Sequence, residues 1–332
     1  TERAHAGAGS EQVVHAEADH DRMMNPPAPP TQNPPENPAE KKTVQAHECD
    51  HECGSIRLSD SQRKEFPVSA FIQDSADSLT KIMRAGLRSR ADAMLDDQIA
   101  AIRYGSDVSA IRKAVLSIGM PEAKDYGTEI VQWAGDTAQG ALDGTLAEWG
   151  KKRRGFKFAD STKTLPKEIR ERLVAGALLS AGFQDSDLEK AVWFSFNEAF
   201  LALDDADATI ATMTKSVDRY FEKTVIEVSA VTQSSNIVNN VRDDFFRSDE
   251  IFSEVESFVF MNPAPITEVC KSLVGTVFSK QEYEASRWLP PLHYSCKSYI
   301  AAQTLGDKTN KPLTSGGLSV TDPRLVKQAN LS

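Results

Sequence analysis

Two cysteines and a histidine in the C-terminal third of this sequence have the side chains of a metal site. Cys270 opens the stretch, and His293 and Cys296 close it in the run Pro290-Pro291-Leu292-His293-Tyr294-Ser295-Cys296. Thiolate sulfur and imidazole nitrogen are ordinary zinc ligands, and two of them three residues apart can reach one ion from a single turn. Cys270 must then be returned to them by a short helix. Cys270, His293 and Cys296 are therefore candidate ligands of one structural zinc ion, whose binding energy would become folding energy. The spacing gives no fourth ligand; Asn262, Glu268, a water or an upstream cysteine could supply it. The same residues also fit a disulfide pair, or two buried thiols with His293 hydrogen-bonded in a Pro-shaped loop. A hydrolytic zinc would need a general base beside it, and no His-Glu-x-x-His run is present. Walker-type loops, a Gly-x-Ser-x-Gly elbow and a dinucleotide fingerprint are also missing from the sequence.

Two further stretches carry chemistry of a weaker kind. Residues 47–53 read HECDHEC, which places Cys49 and Cys53 among ligand-type side chains at every second position. In an extended chain such neighbours lie roughly 7 Å apart, too far to share one zinc without a tight turn. A solvated linker and a metal clip are the alternatives there. Residues 151–157 read KKRRGFK, in which Lys151, Lys152, Arg153 and Arg154 are candidate nucleic-acid contacts. The competing reading is a solvated boundary loop.

The totals limit what such sites can serve. With 332 residues the chain can form two domains of ordinary size, and a formal charge of -10 argues against coating nucleic acid over the whole surface. No apolar run approaches the roughly 18 residues of a membrane helix, and no charged-then-apolar signal segment opens the sequence, so the expectation is a soluble, cytoplasm-made protein. Thr1 in place of Met leads us to expect a processed product or an excerpt of a longer chain.

Helical periodicity supplies most of the scaffold. Residues 1–60 are expected to be a disordered, Pro-rich linker containing the Cys/His segment. Over residues 61–155, Leu79, Ile82, Met83, Leu87, Met94, Ile99 and Ile102 form one stripe from about Ser75, ended by Gly105. Val108, Ile111, Val115 and Ile118 mark a shorter helix, and Ile130, Ala134, Ala138, Leu142, Leu146 and Trp149 a third whose small residues allow a close neighbour. Over residues 156–250, Pro166 is read as starting a helix that Gly182 closes. Ser186 and Glu189 have the spacing of a capping box for the next, whose aromatics are read as core. Residues 206–246 read as one long helical segment with Gln233, Asn236, Asn239 and Asn240 as a polar seam against a neighbour. Residues 251–303 change texture: a strand at 257–260, a short helix capped by Thr267, a turn at Gly275 and a last strand at 297–300. Residues 304–332 form a polar tail. The fold class is mainly α with a small C-terminal α+β unit, a helical bundle followed by a compact Cys/His-containing domain with little core of its own.

Thr267-x-x-Cys270-x-x-Leu273-x-Gly275, followed after a spacer by Pro290-Pro291-Leu292-His293-x-x-Cys296-Lys297-Ser298, resembles the C-terminal signature of the phage Mu F-type head morphogenesis (minor capsid protein) family. Thr232-Gln233 in the preceding helical region is similar to that family's lead-in, and the resemblance covers about residues 165–303. The chain departs from the family where Gln233 replaces an Arg, Asn262 an Asp and Lys297 an Arg, so roles of those residues do not carry over. Residues 47–150 resemble, more weakly, the C-terminal region of Mu-type portal proteins.

The resemblance implies a structural phage or prophage head protein without a catalytic cycle, minor capsid or portal-associated, acting in head assembly, DNA packaging or delivery. It implies portal and capsid subunits as partners, homo-oligomers within the virion, no membrane and no small-molecule substrate. Its place would be the virion head or portal vertex, and the host cytoplasm during assembly. The alternatives are a DNA-contacting internal virion protein using residues 151–157, and a zinc-dependent toxin-like effector built on Cys270, His293 and Cys296.

Overall fold

Several helices of this chain begin where a side chain takes up a free N–H group of the first turn. The computed structural model describes residues 57–122, 124–202, 205–265, 267–285 and 290–304. Ser59 and Gln62 form a reciprocal capping box at the start of helix α1 (Asp60–Glu65). Pro67, which has no N–H to satisfy, begins α2 (Pro67–Tyr104), and the chain turns at Gly105. Asp107 accepts from Ala110 N at 2.8 Å to cap α3 (Val108–Ser117). Helices α4 (Lys124–Lys152) and α5 (Lys167–Leu201) follow, then α6 (Ala206–Glu222), capped by Asp205, and α7 (Val225–Arg247). After a single turn, α8 (Asp249–Phe252), come strand β1 (Val255–Met261), α9 (Glu268–Leu273), β2 (Val277–Ser279), α10 (Lys280–Ala285) and β3 (Tyr299–Thr304). The chain is thus mainly helical with a small C-terminal α+β unit, as its periodicity predicts.

Helices α2, α4 and α7 pack against one another, α5 packs on α4, and α6 packs on α5. Close approach needs small side chains. At Gly86 an added Cβ would stand 2.2 Å from Tyr126 Cδ2, so the aromatic ring occupies the space that any side chain would need. The expected small face of α4 is used in the same way, with Ala134, Ala138 and Ala141 buried. Ser75 Oγ and Thr137 Oγ1 share a hydrogen bond of 2.7 Å between α2 and α4, and Trp133 Nε1 donates to Ser75 O.

Several expected boundaries move. Helix α2 starts at Pro67 rather than near Ser75. Helix α5 runs through Gly182 without a break, because Ala181, Gln184 and Leu188 are buried on one face and that packing outweighs the roughly 1 kcal/mol propensity cost of one glycine. Glu189 does not cap a new helix; its carboxylate accepts from Met120 N. Phe194, one of the aromatics read as core, is exposed. The segment expected as one helix over 206–246 is two, since extended Lys223 separates α6 from α7.

The sheet is antiparallel in the order β2-β1-β3. In the central strand Phe258 pairs with Phe278 on one side and Ala302 on the other, and Phe260 pairs with Ile300. Phe258 stacks on Tyr283 of α10 at 3.7 Å and meets Phe246 of α7 edge-on. The sheet therefore has no separate core: one apolar cluster runs from Ile72 through Leu142 and Val241 to Phe258 and Ile300. A buried cation sits at the same junction. Arg242 of α7 donates to Ile300 O in β3 and pairs with Glu148 of α4 at 2.9 Å, while its guanidinium lies over the Phe246 and Tyr299 rings. Burial alone would raise the Glu148 carboxyl, but the Arg242 and Lys152 cations outweigh it and hold that group below its usual value. Among the described residues no helix is long and apolar enough to cross a membrane.

Candidate metal centre

The three sequence-predicted ligands come from two elements. Thr267 Oγ1 accepts from Cys270 N at 3.3 Å and fixes the start of α9, which turns the Cys270 side chain into the core. His293 and Cys296 arrive on the loop that enters β3, after the cis Pro290–Pro291 bond. Ser295 takes a left-handed conformation, φ 62°, and its N–H donates to Thr232 Oγ1 of α7 at 2.9 Å. That pins the loop to the bundle one residue before Cys296.

The ligand atoms of Cys270, His293 and Cys296 all lie within 4.8 Å of one another. Cys270 Sγ stands 3.0 Å from His293 Nε2 and 3.8 Å from Cys296 Sγ, and both sulfurs are fully buried. A disulfide needs about 2.05 Å between sulfurs, and both cysteines are free. Two sulfurs bound tetrahedrally at about 2.3 Å from one zinc would stand about 3.8 Å apart, which is the separation found. The corresponding sulfur–nitrogen edge is about 3.6 Å, so His293 would have to move out by about half an ångström. Its Nδ1 lies 2.6 Å from Tyr294 O, a bond that places the proton on Nδ1 and turns the Nε2 lone pair toward the sulfurs in the neutral ring.

A polar shell surrounds the sulfurs. Ser298 Oγ is 3.4 Å from Cys270 Sγ and 3.3 Å from Cys296 Sγ. Asn262 Nδ2 donates to that oxygen at 2.7 Å, leaving the Ser298 hydroxyl proton free to point at sulfur. Asn239 Nδ2 donates to Ser298 O at 3.0 Å, and Ser69 Oγ of α2 donates to Lys297 O at 2.9 Å. Bonding to the Cys296 sulfur and burial push the Cys270 thiol up. The bond from Cys270 holds the Cys296 thiol well below its ordinary value, with His293 adding to the effect. Burial alone would lower the His293 pKa, but the Cys296 sulfur outweighs it and raises the imidazole. Negative charge is thus favoured on Cys296, and a cation bound there would reinforce it while taking the place of any proton on His293 Nε2. The chain can hold one metal ion at Cys270, His293 and Cys296.

No family model, curated protein or solved structure matches this chain.

Of the fourth-ligand candidates, Glu268 pairs with Lys271 at 2.8 Å on the surface, and Asn262 reaches the sulfurs only through Ser298. Cys49 and Cys53 lie outside the described residues. The basic run is divided. Lys151 and Arg154 are exposed, whereas Lys152 donates to Ala302 O and pairs with Glu148 at 3.5 Å, and Arg153 pairs with Glu254. Phe156 turns inward against Trp149 and Phe158, so the aromatic of that run is not presented to a ligand. The sequence reading missed Ser298 and Thr232 as members of the site; both stand in the stretches that carry the family resemblance, and that was the available signal.

Proposed function

We propose that this chain is a structural head morphogenesis protein of a phage or prophage, a minor capsid or portal-associated component whose C-terminal unit is closed by zinc on Cys270, His293 and Cys296. One observation carries the reading. Separated residues on which the family resemblance rests converge on one small volume: Thr232 holds the backbone of Ser295, and Ser298 touches both Cys270 and Cys296. A signature gathered in space, with buried sulfurs rather than an open cleft, suits a clasp that keeps a subunit in shape for assembly. Portal and capsid subunits are the partners on this reading, and the virion head or portal vertex is its location. The DNA-contacting alternative has less support, because Lys152 and Arg153 are occupied by acids and a carbonyl of the same chain.

The test is composition of particles. Particles induced from a strain carrying the gene, banded by density and treated with nuclease and protease, are analysed by mass spectrometry. Peptides of this chain are expected at a fixed stoichiometry with the portal subunit. Their absence from intact particles, with the chain present in the lysate, would reject the head-protein reading.

A further inference from the structure

The outer face of α5 carries four large apolar side chains that nothing among the described residues covers. Leu179 is 66% exposed, Phe183 68%, Phe194 73% and Leu201 80%. At 100° per residue they fall within about 60° of one another, on a stripe about 33 Å long. Leu173, Ala177, Ala181, Leu188, Val192 and Phe196 already fill the inner face of the same helix, so the stripe is additional to what the fold requires. Phe183 and Phe194 stand about three turns apart with the charged Asp187 and Lys190 between them, and large exposed apolar side chains set among polar ones in this way mark an interaction site.

The order of residues along the stripe identifies the occupant. Phe183 and Phe194 lie equally far from a midpoint between Leu188 and Glu189. Asp187 and Lys190, both exposed, share that midpoint. Gly176 and Leu201 share it too, and a Cβ on Gly176 would meet nothing within 4 Å. A second α5 laid antiparallel across this midpoint therefore sets Phe183 against Phe194 of the other copy, Asp187 against Lys190, and Leu201 over the notch at Gly176. A parallel pairing would instead face each charge with its like.

We propose that the outer stripe of α5 is an isologous interface at which two copies of this chain pair antiparallel. The proposal stands apart from the zinc and head-protein reading and concerns residues far along the chain from Cys270.

Sedimentation of the full chain from about 1 to 100 μM, at a salt concentration near 0.15 M, reads the pairing in the range where interfaces of modest size dissociate. The expected species has twice the chain mass of 36.4 kDa. Phe183→Asp and Phe194→Asp should each weaken association at least tenfold while leaving the melting temperature unchanged, since both side chains are exposed. Lys190→Asp should weaken it, and Asp187→Lys combined with Lys190→Asp should restore it. A chain that stays at monomer mass throughout overturns the proposal and leaves the stripe to a different protein. A dimer indifferent to Phe183→Asp and Phe194→Asp places self-association elsewhere and also overturns it. A dimer indifferent to Lys190→Asp does not set Lys190 against Asp187, which overturns the antiparallel register.

Discussion

Removing the metal from Cys270, His293 and Cys296 should lower the melting temperature by an amount that a pair of buried thiols cannot imitate. An ion present at a thousand times its dissociation constant stabilises the folded chain by about 4.1 kcal/mol. For domains of 150–250 residues each kcal/mol moves the melting temperature by about 2–4 °C, so chelation should lower it by about 8–16 °C. The sulfur separation of 3.8 Å gives this expectation its basis, because the protein has already placed two ligands at the zinc–sulfur edge length. Cys296→Ser should melt at least as low as the chelated wild type, because it also buries a hydroxyl where a fully buried sulfur stood, at about 1–3 kcal/mol. It should then be insensitive to chelator. Scanning calorimetry with and without chelator, beside elemental analysis of the purified chain, reads both quantities. A wild type that contains no stoichiometric zinc and melts within 1 °C with and without chelator would refute the metal reading and leave a hydrogen-bonded thiol pair.

Arg242→Met removes one partner of a buried ion pair and both donors to Ile300 O, and should cost about 3–5 kcal/mol in urea unfolding; Arg242→Lys should cost less. Glu148 is held below its usual carboxylate value, so its contribution is complete above the unfolded value of about 4.5 and is lost as pH falls through the folded one. The acid limb of a stability–pH profile should therefore be shallower in Glu148→Gln. Ser298→Ala should weaken zinc retention about 10–100-fold in competition with a chromophoric chelator while the chain still folds, because that hydroxyl sits against both sulfurs. Lys151→Ala and Arg154→Ala should leave the melting temperature nearly unchanged, whereas Lys152→Ala should lower it by losing the bond to Ala302 O; equal effects would contradict the division of the basic run.

Local pattern made some of this legible in advance, and the reason is physical. The stripe from Leu79 to Ile102 and the cap at Thr267 are set by residues within one or two turns, so periodicity and capping chemistry find them. Cys270, His293 and Cys296 were also readable, because ligand types are few and two of them stand three residues apart in a Pro-rich run. Gly182 misled, since the propensity of one residue is a small cost against a face buried along 35 residues of helix. Thr232, Asn239 and Ser298 could not be joined by any local rule. Their bonds span 59 and 63 residues, and only the packing of α7 on the sheet brings them together. Of the polar seam expected against a partner or a neighbouring helix, Asn239 meets the loop into β3, whereas Asn240 bonds Asn236 within α7.

The bond from Ser69 Oγ to Lys297 O joins residues 228 apart. On a ribosome adding about 5–20 residues per second, α2 waits about 10–45 s before its partner exists. During that interval Arg242 has no Ile300 carbonyl and the inner face of α7 has no β3 to cover it. The cover that β3 provides is thus made long after the surface it covers, and until β3 emerges the inner face of α7 stays apolar and open.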